Sequence, residues 1–317
     1  MKKLLFLPLL VVFTVATVAI WFYINVQPAS NNKNFNYFVI NKGSSASQIS
    51  NKLQSSGLIK SALAFKIYIQ FTGQSGKFLS GEFRLTPSFS LFQTADTLFK
   101  GPVELWVTIP EGLRREEIAV RFAQVLNKDS SFITEFLQAS KGKEGYLFPD
   151  TYLFPMDASA SAIVKKMTDT FTAKTQGLIP EGPNLSFAET VTLASIIERE
   201  TKTDTERPIV AGILIKRLDA GWPLQVDATV QYAVGMASDW WPILTKDDLT
   251  IKSYYNTYKY AGLPPSPIAN PGLSSLKAAF APQESDYWYY IHDSQGQIHY
   301  ARTLSEHNAN IAKYIEK

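Results

Sequence analysis

Leu4 to Ile24 is a run of 21 residues without a charged side chain, preceded by Lys2 and Lys3. A helix needs roughly 20 apolar residues to cross a bilayer, and lysines mark the cytoplasmic end of such a helix. The chain is therefore expected to carry an N-terminal membrane anchor, residues 1–24, with its N-terminus in the cytoplasm and the remainder outside the cytoplasmic membrane. A cleaved signal peptide is the alternative. Against it, the run is longer than the apolar region of such peptides and continues into the interfacial aromatics Trp21, Phe22 and Tyr23. No clear small-x-small cleavage site follows.

What lies beyond is long enough for two domains and a sizeable core, the whole chain having 317 residues. Net charge is 31 − 28 = +3, too weak and too dispersed to point to nucleic acid. There is no cysteine, which excludes thiol catalysis, disulfides and thiolate metal sites.

The polar, Asn-rich stretch from Asn25 to Asn36 reads as a linker. From residue 37 to 105 the patterns alternate strand, helix, helix, strand, helix, a small α+β module. A second region, 106–317, opens with the alternating strand "VELWVTIPEG" and a helix from Arg114 to about Leu126. "GYLFPDTYLFP" is interrupted by Pro149 and reads as an ordered loop. Two long helices follow, Ser159 to about Lys174 and Ser186 to about Thr201. Ser186 and Glu189 form a capping box for the second. The next helix, near Glu206 to Ala220, has Pro208 in its first turn and Gly221 at its end. "SYYNTYKYAGLPPSPIANPG" (Ser253 to Gly272) has no plausible regular element, and long ordered loops of that kind are usually functional. A β-hairpin turning at "DSQG" and a capped terminal helix complete the chain. The expected class is α+β.

The helix "TLASIIERET" (Thr192 to Thr201) is apolar almost all the way round yet carries Glu198 and Glu200. At 100° per residue Glu198 shares an arc with Phe187, Val191 and Ala194, whereas Glu200 falls between Leu193 and Ile196. Both arcs are apolar, so periodicity does not choose between the acids. It does imply that at least one carboxylate is buried. Burial raises a carboxyl pKa, which is how a glutamate becomes a general acid near neutral pH. The competing reading is structural: each acid pairs with Arg199, Lys202 or Arg207. Other chemistries have less support. His292, His299 and His307 match no HExxH spacing, Ser195 lacks a G-x-S-x-G elbow, and no Gly-rich phosphate loop is present, so no cofactor or metal is expected.

Six segments together resemble the MltG/YceG-like endolytic transglycosylases of bacterial peptidoglycan. They are "TIPEG" (Thr108 to Gly112), "EGYLFPDTYLFP" (Glu144 to Pro155), "LASIIERET" (Leu193 to Thr201), "LQVDATVQYAVG" (Leu224 to Gly235), "YNTYKYAGLPPSPIANPG" (Tyr255 to Gly272) and "SLKAA" (Ser275 to Ala279). Ala228 stands where the family pattern leads one to expect proline. The resemblance implies a LysM-like fold for 37–105 and a catalytic domain over 106–317. It implies Glu198, the first acid of E-x-E-T, as the catalytic residue, with Glu200 in support. Gln225, Asp227, Tyr255, Asn256 and Tyr258 match family motifs and are expected to line the substrate cleft, core packing being the alternative for the tyrosines. Trp240 and Trp241 are expected either to stack on sugar faces or to fill a hydrophobic corner.

The implied reaction is a lyase step on glycan strands. One glutamate protonates the oxygen between N-acetylmuramic acid and N-acetylglucosamine, then takes the proton of the muramoyl 6-hydroxyl as a 1,6-anhydro end closes. Implied partners are the strands, the membrane and the peptidoglycan synthases whose nascent strands the enzyme terminates. Two rivals remain: a membrane-anchored, non-enzymatic wall-binding protein, and a hydrolase using Asp227 to activate water.

Overall fold

The computed structural model describes residues 6–179 and 185–315, with side chains from residue 10 onward. Lys2, Lys3 and the first residues of the apolar run lie outside the described residues. The fold is mixed α and β, and the chain divides into two compact units. One runs to Val107 and takes in Leu153–Asp157; the other comprises Thr108–Tyr152 and the chain from Ala158 onward.

The first unit begins with α1 (Phe6–Val26), which carries no charged residue. No helix among the described residues is long and apolar enough to cross a membrane. Then come β1 (Asn36–Ile40), α2 (Ala46–Ser55), α3 (Ala62–Phe71), β2 (Gly81–Leu85), α4 (Leu91–Lys100) and β3 (Glu104–Thr108). Ser45/Gln48 and Ser90/Gln93 close reciprocal capping boxes on α2 and α4. β1 and β2 pair antiparallel with Phe38 opposite Phe83, and β3 adds antiparallel to β2. Phe38, Ile40, Phe83 and Leu85 face one side of the sheet and meet Leu53, Phe65, Ile69 and Leu98 from the helices in a common core. The stretch read as a linker is fastened to this core. Val26 is buried in it, Ser30 N–H donates to Pro87 O (3.1 Å), and Thr86 Oγ1 donates to Asn32 O (2.8 Å).

The second unit starts with α5 (Arg115–Val125) and α6 (Ser130–Ala139), the latter not anticipated from the pattern. "GYLFPDTYLFP" is not wholly loop: its second half is a strand, β4 (Thr151–Pro155), whose residues from Leu153 return to the first unit and complete its sheet in the order β1-β2-β3-β4. Pro149 precedes that strand, where its missing N–H is not needed for pairing. The helices α7 (Ala160–Thr175), α8 (Phe187–Glu200), α9 (Arg207–Asp219), α10 (Asp227–Val234) and α11 (Leu273–Phe280) follow. β5 (Tyr289–His292), β6 (Ile298–Ala301) and α12 (Leu304–Tyr314) end the chain. Ser253 to Gly272 contains no helix or strand, as its composition implies.

α8 is the axis of this unit. The expected capping box starts it, with Glu189 Oε2 accepting from Ser186 N–H at 2.8 Å. Thr190 to Ile197 are all buried, packed by α9, α10 and α11. Each fully buried Leu or Ile contributes roughly 1.5–3 kcal/mol, so the helix end is held in place from every side. Ser195 is part of this packing. Its hydroxyl donates to Thr192 O (2.7 Å) and accepts Ile268 N–H (3.0 Å).

Candidate active site

Glu198 leaves the last turn of α8 with its side chain 7% exposed. Its Oε2 accepts the Gly272 N–H at 2.9 Å and its Oε1 faces Arg207 Nη2 at 3.4 Å. Arg207 also pairs with Asp204. Glu198 is thus not an isolated acid on the Phe187/Val191/Ala194 arc. It sits where that arc runs out, against two loops and the start of α9, and the pairing with Arg207 is one of the structural contacts the sequence allowed. Arg199 turns away and lies over the Trp241 ring at 3.7 Å.

The two loops belong to motifs far apart in the chain. Gly112 N–H donates to Asn270 O, and Asn270 N–H donates to Leu113 O, both at 2.9 Å. This ladder lays "ANPG" against "PEG". A Cβ on Gly272 would fall 1.8 Å from Glu111 Oε1, so any side chain there would drive that carboxyl away. Desolvation, and then the negative charge of Glu198, raise the Glu111 pKa above the usual carboxylate range. Asn270 is fully buried and joins a third motif. Its Oδ1 accepts Leu147 N–H (2.9 Å), and its Nδ2 donates to Leu113 O (3.0 Å) and Glu144 Oε1 (2.7 Å). Glu144, from "EGYLFP", also accepts Arg115 N–H (3.1 Å) and the Tyr232 hydroxyl (3.4 Å). Burial, reinforced by the charge of Glu116, pushes its pKa up to about 8. At the next residue the chain takes φ +84° beneath the Pro267 ring, whose Cγ would lie 2.5 Å from a Cβ; only Gly145 fits there.

Glu200 faces elsewhere. It lines a cavity of about 440 Å³ with Arg217, Gln225, Asp227, Tyr258 and Tyr290 among its walls. Tyr290 Oη donates to Glu200 Oε2 (2.9 Å), and Tyr258 Oη donates to Asp227 Oδ1 (2.6 Å). Burial pushes the Glu200 pKa up to about 7 against the lowering effect of the Tyr290 hydrogen bond. Gln225 holds φ +54°, unusual outside glycine, with its N–H on Thr257 O. Such strain persists where the surroundings impose it, often at binding sites.

Of the five residues expected to line the cleft, Gln225, Asp227 and Tyr258 are together, around Glu200. Tyr255 and Asn256 are placed otherwise. Tyr255 shares a 2.6 Å hydrogen bond with Ser266 Oγ. Asn256 is fully buried, its amide donating to Leu249 O and Ile251 O. Trp240 and Trp241 are stacking partners of protein cations: Arg114 lies over Trp240 at 4.6 Å, and the Trp241 indole N–H reaches Glu117 (3.1 Å). His292 and His299 pair with Glu206 and Asp293, and His307 lines the rim of the cavity. No cluster of metal-ligating side chains occurs among the described residues.

Residues 38–313 match the model of the YceG-like family. The chain belongs to that family. It is 35% identical over 306 residues to an endolytic murein transglycosylase of Bacillus subtilis, covering 87% of this chain and 84% of that protein. An endolytic murein transglycosylase of Streptococcus pneumoniae is 27% identical over 336 residues, covering 90% of this chain and 59% of that one. Among solved structures, a YceG-like protein of Listeria monocytogenes superposes with a TM-score of 0.56 at 30% identity, covering 87% of this chain and 99% of that chain.

In this family member the residues that sequence reasoning missed are Glu111, Glu144, Arg217, Tyr290 and Asn270. Glu111, Glu144 and Asn270 lie inside motifs quoted for the resemblance, which is the one signal that pointed to them. Arg217 reads as an ordinary helix charge, and Tyr290 as one of several hairpin aromatics.

Proposed function

We propose that this chain is an endolytic murein transglycosylase, a lyase that cuts peptidoglycan glycan strands internally, with Glu198 as its acid and base. The observation that carries the reading is the position of Glu198. In a member of the YceG-like family, its carboxylate ends a fully packed helix and is fixed by a backbone N–H and a guanidinium where "TIPEG" and "ANPG" meet. A carboxyl held on a rigid element with its rotamer constrained suits proton transfer at a set point. Glu198 donates its proton to the oxygen between N-acetylmuramic acid and N-acetylglucosamine. It then accepts the proton of the muramoyl 6-hydroxyl as that oxygen closes on its own anomeric carbon. No water enters, so no second carboxylate is needed to activate one, unlike the paired acids of hydrolytic glycosidases.

Gln225, Asp227 and Tyr258 offer amide, carboxylate and phenol groups to sugar hydroxyls and N-acetyl groups. One observation favours a second reading, with Glu200 as the acid: it shares the cavity with these three residues, and its pKa of about 7 suits a general acid. Mass analysis of muropeptides released from purified sacculi tests the whole proposal. Anhydro ends from the wild type, absent with Glu198→Gln and present with Glu200→Gln, are expected. Reducing ends would make it a hydrolase, and no release at all would favour a wall-binding protein. Loss with Glu200→Gln alone would move the acid to Glu200.

The reading extends to location. Lys2, Lys3 and the uncharged run Leu4 to Ile24 support a single-pass anchor in the cytoplasmic membrane with the second unit on the outer side. There it would work beside the synthases that make its substrate, with residues 37–105 as a LysM-like module.

A further inference from the structure

The first unit leaves an apolar stripe uncovered. On α3, Leu63, Ile67 and Phe71 follow one another at i, i+4 and i+8, and all three are exposed, Phe71 by 92%. The other face of α3 carries the core residues Phe65 and Ile69. A helix that is apolar on both faces needs a second apolar phase. The stripe does not stand alone. α3 packs beside α1, and the groove between them, about 560 Å³, is lined by Val15, Val18 and Trp21 from α1 and by Ile67 and Phe71 from α3. The apolar surface of α1, with Phe13, Val18 and Ile20 all exposed, therefore continues onto α3.

We infer that α3 lies in the outer leaflet of the bilayer beside α1, so that the small module is seated in the membrane surface rather than held above it. This rests on the anchoring reading given under Proposed function. Three observations fix lipid as the occupant. The first is depth. Val15 lies about 14 Å along the helix from Ile24 at 1.5 Å per residue. That places the groove in the outer half of a hydrocarbon layer roughly 30 Å thick. The second is rigidity. Trp21 and Phe22 pack on the module core, Val26 is buried in it, and the following segment is hydrogen-bonded at Ser30 and Asn32. α3 therefore follows α1 to whatever depth α1 takes. The third is charge. Residues 27–107 carry eight Lys and Arg against three Asp and Glu, a net of 8 − 3 = +5, which suits an anionic lipid surface. Lys66, on α3 itself, donates its ammonium to Asn51 Oδ1 (3.2 Å), and a lysine can bury its stem while keeping its charge at a polar partner.

The absence of cysteine makes the test clean. The full chain carrying Phe13→Cys, Phe71→Cys or Asp96→Cys, one at a time, is labelled with a nitroxide and reconstituted in vesicles of phosphatidylethanolamine and phosphatidylglycerol. Collisions with oxygen, which concentrates in lipid, and with a water-soluble nickel chelate are then measured by spin-resonance saturation. All three positions are exposed, so the fold tolerates the labels. The expected result is an oxygen-to-nickel ratio at position 71 close to that at 13 and several-fold above that at 96. A lipid-like label at 13 with a water-like label at 71 would overturn the seating and leave the anchor intact. Water-like labels at both would overturn the anchor, and the seating with it. A label at 71 shielded from both reagents would mean that protein, either a second copy or a partner, covers the stripe, and would overturn the lipid assignment.

Discussion

Glu198 and Glu200 stand two residues apart on one helix, and the last turn of α8 directs them into two different regions. On the Glu198 side the chain supplies donors: the Gly272 N–H and the Arg207 guanidinium meet the carboxylate, and a second acid, Glu111, stands close by. On the Glu200 side it supplies burial and a phenol, in a cavity whose other acid, Asp227, is held by Tyr258. One region is built from loops that meet around an acid. The other is a preformed hollow. The contrast teaches that a helical wheel finds buried acids but not their distant partners: Arg207 is nine positions from Glu198, whereas Gly272 and Tyr290 come from 74 and 90 positions away.

The variant expected to have the largest effect separates the two regions directly. Glu198→Gln should lower kcat/KM by about 10²–10⁴-fold, the usual contribution of a general acid, with the unfolding midpoint retained. Glu200→Gln should cost far less. Purified glycan strands and product quantification check both. Near-normal turnover by Glu198→Gln would reverse the comparison.

Much of this architecture was legible in the chain. Ser186, with Glu189 three residues on, marked a helix start that the structure shows as a closed box, and Ser45/Gln48 and Ser90/Gln93 close the same box without having been read as such. The patternless stretch from Ser253 to Gly272 is a loop. The rest depended on long-range packing. β4 was hidden because its partner strand lies more than 40 residues earlier, and Pro149 imitated a break. Asn256 has the chemistry of a sugar ligand, yet its amide is spent on two backbone carbonyls. Nothing local marks Asn270 as the residue that ties three motifs together.

Asn270 gives the next test, because it supports one region and not the other. In Asn270→Leu the buried Leu147 N–H loses its partner, and the buried Glu144 carboxyl keeps only the Arg115 N–H and the Tyr232 hydroxyl. An unsatisfied buried group costs about 1–3 kcal/mol, so urea denaturation should show a loss of about 3 kcal/mol. Activity should fall with it as the Gly272 N–H shifts away from Glu198. A variant of unchanged stability would mean that the loop junction is held by packing alone.

Titration sharpens the contrast further. Burial holds the Glu200 pKa at about 7 in the folded chain, against the 4.5 of an ordinary glutamate. Between those values the native state holds a proton that the unfolded chain has released. Stability must therefore fall as pH rises through that window, by up to about 1.4 kcal/mol per pH unit. Above about 7 both states are ionised and the penalty from Glu200 stays constant. Glu144, with a pKa of about 8, acts in the same direction and extends the decline by another unit. Denaturant midpoints measured from pH 5 to 8.5 should decline in the wild type. In Glu200→Gln the decline should be shallower below pH 7 and unchanged between 7 and 8. Parallel profiles for the two proteins would show that Glu200 is ionised throughout.

The smallest expected effect asks whether the hollow meets substrate at all. Tyr258 donates to Asp227 at 2.6 Å on the cavity wall, and Tyr258→Phe removes that one hydroxyl while keeping the ring. Asp227 begins α10, so the amide dipoles of the helix start continue to stabilise its carboxylate, and the fold should hold. If the cavity holds sugar, the loss is a positioning contact worth about 1 kcal/mol, or roughly five-fold in KM. kcat should stay near the wild-type value, because the proton transfers belong to Glu198. Glycan-cleavage kinetics with the two constants separated would reveal this pattern. An unchanged KM would remove the hollow from the substrate path and leave Glu200 as a buried structural acid. A fall in kcat at constant KM would place Asp227 and its neighbours in the chemistry, and the division of labour between the two sides of α8 would have to be redrawn.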